Sequence, residues 1–184
     1  LRGKIVFQRS ADPRMSSRRY LSCASCHMDG ETDNLVWDFT QRGEGLRNTT
    51  TLVGPGATRG LLHWSGNSDE VQDFEGEIRS FHGGAGFLDD ARFLEGTRTQ
   101  PLGDAKAGLS ADLDALAAFV ASLRAVENTS PLRHLDDTAW YEKRRRGEEL
   151  FRAAEVGCSS CHSGTSLTDS GRDESGAPRL HDAV

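Results

Sequence analysis

The sequence predicts an all-α fold in which helices are joined by long irregular loops, and three observations favour this class. The clearest helix is predicted over residues 111–125, behind Ser110 as its N-cap. Further helices are predicted over residues 137–153 and 69–81, where apolar residues recur at helical spacing. No segment has a convincing strand pattern, so the remaining chain is predicted to be irregular.

Each predicted helix has an apolar face that sets its orientation. Asp112 and Asp114 occupy the first turn of the helix over residues 111–125, where acidic side chains are favourable. The stripe of this helix consists of Leu113, Leu116, Ala117, Val120 and Leu123. On the helix over residues 137–153, the side chains predicted to turn inward are Trp140, Leu150 and Phe151. Residues 12–22 are predicted to form a polar loop, and residues 28–60 a long stretch of loops.

A five-residue pattern, Gly-x-x-aliphatic-Phe, occurs twice and indicates two related domains. It covers Gly3 to Phe7 and Gly147 to Phe151, each time on a predicted helix that leads into the same cysteine motif. Glycine at the first position lets another helix approach closely. The predicted domains are residues 1–127 and residues 137–184, joined by a linker over 128–136. Only 22 residues follow His162, so the second domain is predicted to be truncated.

The two cysteine motifs use all four cysteines of the chain. They are Cys23-Ala24-Ser25-Cys26-His27 and Cys158-Ser159-Ser160-Cys161-His162. Two cysteines three positions apart share one turn, so their sulfurs can form thioethers with the two vinyl groups of a haem. The histidine that follows then lies beneath the iron as its proximal ligand. The sequence therefore predicts two covalently attached c-type haems.

Zinc binding and thiol redox chemistry are the competing interpretations of these motifs. A zinc site built from two Cys-x-x-Cys pairs usually has a compact gap between them, whereas more than a hundred residues separate these pairs. A thioredoxin-like motif requires a βαβ setting, which the predicted elements do not provide. Haem attachment is therefore the preferred interpretation.

The ligand on the other side of each iron decides between electron transfer and chemistry at an open iron. His63, which lies 36 residues beyond His27, is the main candidate for the first haem. A buried histidine hydrogen-bonded to a carbonyl group or a propionate is the open alternative. His82 and Met15 are weaker candidates, and Met28 follows the proximal ligand too closely to reach the opposite face. For the second haem, His181 is a weak candidate.

Composition and charge limit the partners of the chain. The formal net charge of −6 argues against a nucleic-acid partner and favours a basic redox partner, such as a small cytochrome or another electron carrier. No apolar stretch approaches the length of about 18 residues that a transmembrane helix needs. Haem attachment to cysteine takes place outside the bacterial cytoplasm. The sequence is therefore expected to be a piece of a longer exported, periplasmic protein that has further domains.

Several segments resemble the bacterial di-haem cytochrome c peroxidase family. Beside the two motifs they are Gly45-Leu46-Arg47-Asn48-Thr49, His63-Trp64-Ser65-Gly66, Glu70-Val71-Gln72, Leu167-Thr168-Asp169 and His181-Asp182. The resemblance implies a cytochrome c-like domain with long haem-wrapping loops, followed by a second, truncated one. It also implies that Arg47 and Asn48 lie near the first haem and its propionates, and that Trp64 packs beside it. A plain structural role for these three residues is the alternative.

Two departures from the family leave its enzymatic activity open. The family tends to have Trp-Asp-Gly-Arg where this chain has Trp64 to Asn67, and its downstream Glu-Met pair is missing. Cleavage of a peroxide O–O bond benefits from a nearby acid or base, which Glu75, Glu77 or His82 could supply. The predicted function is a di-haem c-type cytochrome for electron transfer, within a larger periplasmic oxidoreductase. The alternative is a peroxidase-like enzyme that reduces hydrogen peroxide at haem one, with haem two as electron relay.

Overall fold

A computed structural model describes residues 1–54, 61–124, 129, 133–164 and 167–179, and the chain divides into two compact units. The first unit contains Leu1–Arg124 together with the segment from Ser170 onward, and the second contains Ala125–Asp169. The domain boundaries at residues 128 and 137 stay a prediction.

The first unit is built around the crossing of helix α1, Arg2–Gln8, with helix α4, Ala111–Ser122. A Cβ atom at Gly3 would lie only 1.8 Å from the backbone oxygen of Ala115, so glycine is what allows the two helices to meet. One turn further along, the rings of Phe7 and Phe119 pack edge to face with centroids 5.1 Å apart. The close helix approach predicted at Gly3 is therefore confirmed.

Helix α4 follows the capping and stripe pattern expected from the sequence. The Ser110 hydroxyl accepts a hydrogen bond from the Leu113 N–H at 3.4 Å, which satisfies one of the free donors of the first turn. The buried residues of the helix are Leu113, Leu116 and Val120. The helix ends at Ser122, earlier than predicted, because Leu123 has an extended backbone (φ −71°, ψ 109°).

The core of the first unit includes a residue from the segment that was predicted to be a polar loop. Met15 is fully buried, and Ser16 and Ser22 are buried as well. The core consists of Val6, Phe7, Met15, Ile78, Leu88, Leu113, Leu116 and Val120. Residues 12–22 form a loop, as predicted, but Met15 within this loop is buried and belongs to the core.

Two short helices and a 3-10 turn complete the core. The turn Val71–Phe74 continues into helix α2, Glu75–Ser80, and helix α3 covers Asp90–Phe93. The fully buried Glu75 carboxylate accepts hydrogen bonds from the N–H groups of Phe87 and Leu88, and from Arg79 Nε at 2.8 Å. A buried carboxylate with this many donors is a structural anchor. Glu75 therefore holds the loop after α2 and is not free to act as an acid or base.

Two antiparallel hairpins occupy segments for which the sequence predicted loops. Strand β1, Val36–Phe39, pairs with β2, Gly45–Asn48, so that Trp37 lies opposite Arg47. The connection runs through a 3-10 turn, Thr40–Arg42, and a left-handed Gly43 (φ 81°). Strand β3, Gly171–Arg172, pairs with β4, Pro178–Arg179.

The second unit contains helix α5, Thr138–Arg152, and helix α6, Cys158–Cys161. Asp137 caps α5, since its carboxylate accepts from the Trp140 N–H at 2.9 Å. Trp140 is half-buried, but Leu150 and Phe151 are 49% and 37% exposed, so their predicted inward orientation is not observed. A Cβ atom at Gly147 would meet no described atom within 4 Å, unlike one at Gly3. None of the described helices has the length and apolar character to cross a membrane.

Asp112 links three segments of the first unit and makes its stability depend on pH. Its carboxylate accepts from Arg2 Nε at 2.5 Å and from Arg14 Nη1 at 2.9 Å. The bond from Arg2 is the largest cause that holds the pKa of Asp112 below its ordinary value of 3.8. This contribution is therefore complete above pH 3.8 and is lost as the pH falls through the lower pKa of the folded state.

We expect Asp112→Asn to lower the free energy of unfolding by about 1 kcal/mol at pH 7. The loss is no larger because both arginines are largely exposed to solvent, which weakens their ion pairs. The difference from the wild type should shrink at the acid end of a denaturation series. Glu174→Gln, in the exposed turn between β3 and β4, is the control and should stay close to the wild type throughout. An Asp112→Asn variant with wild-type stability at pH 7 would contradict the assignment.

Candidate cofactor-binding site

The first cysteine motif forms one tight turn that begins at Ser22. The Ser22 N–H donates to Ser25 Oγ at 3.0 Å, and the His27 N–H donates to the Cys23 carbonyl at 2.9 Å. The residues Cys23–Ser25 form a 3-10 turn between these bonds. Both cysteines and the histidine are thus held on a single turn of backbone.

The second motif closes its turn with the same hydrogen bond, although Cys158–Cys161 is α-helical where Cys23–Ser25 is a 3-10 turn. The His162 N–H donates to the Cys158 carbonyl at 2.9 Å, as His27 does to Cys23. The torsion angles of His162 are φ −97° and ψ 69°, and those of His27 are φ −96° and ψ 65°. The two imidazoles therefore leave their turns from equivalent positions, although the surroundings of the turns differ.

Two pockets border the first motif and differ in polarity. One has an apolar lining, formed by Phe7, Cys23, His27, Leu52, Leu62, Val71, Phe74, Leu116 and Val120. The other is more polar and is lined by Cys26, Trp37, Phe39, Arg42, Glu44, Arg47, Asn48, Thr49, Thr50, His63, Trp64 and Glu77.

The β1–β2 hairpin forms one wall of the polar pocket. Trp37 and Arg47 are cross-strand partners on its half-buried face, and Trp37 Nε1 donates to Asp33 Oδ2 at 3.0 Å. Trp64 Nε1 donates to the Asn48 carbonyl at 2.9 Å, which fastens the segment of His63 to the hairpin. The structure therefore brings Arg47, Asn48 and Trp64 to the same pocket as Cys26.

Arg47 has one nitrogen that is buried without a hydrogen bond. Its Nη1 donates to the Leu46 carbonyl at 2.8 Å, but Nε finds no partner among the described residues. A buried guanidinium N–H without a partner costs free energy, on the order of 1–3 kcal/mol. An anionic group placed in the polar pocket would remove that cost.

Burial sets the protonation states of the first motif. It raises the pKa of the Cys23 thiol to about 12 and, together with the Asp33 carboxylate, raises the pKa of Cys26 as well. Neutral thiols are poor nucleophiles, so these pKa values argue against the reactive thiolate of a redox motif. Burial also lowers the pKa of His27, which keeps the imidazole neutral and able to bind a metal.

His63 is held in a defined orientation beside the polar pocket. Its Nδ1 lies 2.7 Å from Asn67 Oδ1, and its ring packs edge-on against Phe74 with centroids 4.6 Å apart. Because an amide oxygen only accepts, Nδ1 carries the proton and Nε2 keeps its lone pair. The backbone of His63 is left-handed (φ 68°), which is uncommon for a residue other than glycine and is found preferentially at functional sites.

The other candidates for ligands or acids are placed differently. His82 Nδ1 lies 3.4 Å from the sulfur of the buried Met15, and neither residue lines the two pockets as described. Burial lowers the pKa of His82. Glu77 does line the polar pocket, where it accepts from Arg42 Nη2 at 2.7 Å. Glu77 is thus the acidic candidate that reaches the site.

The second motif is more open than the first. His162 is exposed, and its Nδ1 lies 2.9 Å from the Leu167 carbonyl, which fixes the ring and leaves Nε2 free. The ring of Phe151 lies beside it, with centroids 6.5 Å apart. His181 lies outside the described residues. Among the residues that are described, no three His, Cys, Asp or Glu side chains form a cluster that could hold a metal ion.

The sequence did not point to several residues of the pocket wall, among them Trp37, Phe39 and Arg42. The sequence pattern that could have predicted this strand is the alternation over Val36 to Phe39, followed by the turn glycine Gly43. The alternation is only four residues long. So short an alternation is hard to tell from a loop. The pairing with β2 depends on contacts across the turn.

The site fits a covalently bound haem on the chemistry of its residues. Two thiols and an imidazole share one turn, and an apolar pocket and a polar pocket flank it. The unpartnered Arg47 Nε suits a propionate, and the orientation of His63 leaves a free nitrogen. A macrocycle with an apolar body and two carboxylates requires this division of the site.

Comparison with known proteins finds a distant similarity. No family model matches the chain. It is 28% identical over 155 residues to hydrazine synthase subunit gamma from Kuenenia stuttgartiensis, which covers 83% of this chain and 40% of that protein. The chain therefore spans less than half the length of this curated relative.

Two solved structures resemble the chain at a similar level. A structure of Kuenenia stuttgartiensis hydrazine synthase matches with a TM-score of 0.48 and 21% identity, over 91% of this chain and 50% of that one. A MauG-like protein associated with microbial copper homeostasis matches with a TM-score of 0.48 and 19% identity, over the same shares.

Proposed function

We propose that this chain is a di-haem c-type cytochrome module that transfers electrons through covalently bound haem. The observation that carries the proposal is the shared geometry of the two motifs, in which a histidine N–H closes a turn onto the first cysteine at 2.9 Å in each. We assign the module to the all-α class, with one cytochrome c-like domain and the start of a second. When bound, such a haem supplies an iron that cycles between ferric and ferrous states.

At the first site, Cys23 and Cys26 would form the thioethers and His27 would be the proximal ligand. The apolar pocket would receive the body of the macrocycle, and Arg47, Asn48 and Trp64 would lie at its polar edge. His63 would be a second histidine ligand, because Asn67 holds its Nδ1 and leaves Nε2 available. A second imidazole closes the iron, which favours electron transfer over chemistry at the metal.

At the second site, Cys158, Cys161 and His162 would play the same roles. The bond from His162 Nδ1 to the Leu167 carbonyl is the support that metal-binding histidines usually have. His181 stays a weak candidate for the opposite ligand.

A peroxidase-like enzyme is the second candidate function, and Glu77 is the observation that favours it. Its carboxylate lines the polar pocket together with His63 and Arg42, within the same site as Cys26. A carboxylate there could move a proton during cleavage of a peroxide O–O bond, provided that His63 does not occupy the iron. Reduction of hydrogen peroxide would then take place at haem one, with haem two as the electron relay.

The parent protein, the location and the partner of the module are inferred from its curated relative and from the chemistry of haem attachment. Its curated relative is a subunit of an enzyme and is more than twice as long as the matched region, which supports a module within a larger oxidoreductase. Covalent haem attachment requires export, so we place the protein in the periplasm or another exported location. The net charge of −6 supports a basic redox protein as its partner.

The proposal is tested by counting haems on the mature protein. We expect the chain to carry two haems when it is produced together with a cytochrome c maturation system. The haems are counted from the intact mass of the denatured protein. Cys158→Ala with Cys161→Ala should leave one, and so should Cys23→Ala with Cys26→Ala. Ser159→Ala with Ser160→Ala changes the same loop without its thiols and should retain both haems. Mature chain without added porphyrin mass would refute the proposal.

A further inference from the structure

The outward face of the β1–β2 hairpin is apolar at its centre, although the opposite face lines the polar pocket. Val36 and Leu46 are 65% and 66% exposed, and the neighbouring Leu35 is 53% exposed. The side chains of Val36, Asp38 and Leu46 alternate with the half-buried Trp37, so they point away from the pocket. We call Val36, Asp38 and Leu46 the hairpin patch.

The segment that carries the hairpin patch is predominantly acidic, although Glu44 lies at the polar pocket and Asp33 bonds to Trp37 on the half-buried face. Residues 29–48 contain five acidic residues and two arginines. Arg42 is paired with Glu77, and Arg47 lies on the half-buried face. Asp38 is exposed on the patch itself, and the hydrogen bond with Thr40 holds its pKa below the usual value, so it stays ionised. An exposed apolar surface that carries an ionised carboxylate is complementary to a partner with an apolar centre and a basic margin.

The position of the patch indicates what kind of partner it fits. Its two strands separate the surface from the pocket that contains Cys26. A partner on the patch would therefore lie one layer away from the first haem site. The apolar area is small, as in the weak and short-lived complexes of electron carriers.

We propose that the hairpin patch is the docking surface for a small basic redox protein with an exposed apolar centre. The inference rests on the proposed function, because it makes the first haem site the electron acceptor. One electron would pass from the reduced metal centre of the partner, which would be oxidised, to a ferric haem held by Cys23, Cys26 and His27, which would be reduced. No bond is made or broken, and no proton is transferred.

The test uses the mature protein and mitochondrial cytochrome c as a basic probe, with binding measured by titration calorimetry. Asp38→Lys is expected to weaken binding about tenfold at low ionic strength and to reduce its salt dependence. Leu46→Ser should weaken binding about threefold and leave the salt dependence unchanged. Glu174→Lys makes the same charge change on the β3–β4 turn and should remain within about twofold of the wild type.

Equal binding by Asp38→Lys and Glu174→Lys would overturn the proposal. A wild-type dimer in sedimentation that Leu46→Ser converts to monomer would also overturn it, because the patch would then join copies of this chain. Calorimetry reports binding whether or not this chain carries haem. A failure of the docking surface is therefore distinguishable from a failure of the proposed function, which the haem count alone decides.

Discussion

Replacing His63 with glycine is expected to convert the first haem from a low-spin to a high-spin centre, while the second keeps its spectrum. Among the described residues, His63 is the histidine that lines the polar pocket and has an oriented ring with a free Nε2. Removing the imidazole opens one position on the iron without changing the proximal side. Optical and paramagnetic-resonance spectra of the mature variant would measure the change, and added imidazole should restore the low-spin signal.

Asn67→Ala is the matched control for that experiment. It removes the partner of His63 Nδ1 at 2.7 Å but keeps the imidazole, so the low-spin spectrum should persist. Loss of this support should weaken the ligand, as changes around metal-bound histidines commonly do by about 10- to 100-fold in affinity. If His63→Gly leaves the low-spin spectrum of both haems unaltered, His63 is not the ligand.

The same pair of proteins separates the two candidate functions. An electron-transfer module should show no reaction with hydrogen peroxide in its wild-type form and should gain one in His63→Gly. Rapid reaction of the wild type, abolished by Glu77→Gln, would instead favour the peroxidase-like enzyme.

Replacing Gly3 with alanine is expected to lower the free energy of unfolding of the first unit by about 3 kcal/mol, at the upper end of typical overpacking costs. The new Cβ would lie 1.8 Å from the Ala115 oxygen and 2.8 Å from Phe119 Cβ. A backbone oxygen in the middle of α4 cannot move aside, so the helices must separate. Chemical denaturation followed by circular dichroism would measure the loss.

Alanine substitutions at two other glycines are controls that should not lower the free energy of unfolding. A Cβ at Gly76 in α2, or at Gly147 in α5, would meet no described atom within 4 Å. Alanine is favoured over glycine inside a helix by about 1 kcal/mol, so both variants should be as stable as the wild type or more so. An equally stable Gly3→Ala variant would show that α1 and α4 do not pack as described.

The parts of the fold that the sequence predicted are those that depend on neighbours along the chain. The Ser110 cap, the stripe of α4 and the close approach at Gly3 each follow from a local pattern, and the structure confirms them. The burial of Met15 depends on packing between segments far apart in the sequence, which no local pattern encodes. The β1–β2 hairpin was missed for a related reason, since its four-residue strands are defined by pairing across a turn.

The candidate site likewise has a part that local sequence patterns predict and a part that they do not. The cysteine motifs are local, so their residues could be named in advance. The structure adds the grouping of Arg47, Asn48, His63 and Trp64 at one pocket, for which the sequence offered only a resemblance. The structure also argues against Glu75 and His82 as the acid or base of this site. The Glu75 carboxylate is saturated by hydrogen-bond donors, and His82 packs against Met15.

The near identity of the His27 and His162 torsion angles bears on the direction of electron flow. Since both turns present their histidines alike, a difference in reduction potential between two bound haems has to come from a further ligand or from the surroundings. Cys23 and His27 border an apolar pocket, whereas Cys161 and His162 are exposed. A water-poor environment disfavours the extra positive charge of ferric iron and raises the potential. The first haem site would thus have the higher reduction potential of the two, and electrons would pass to it from the second.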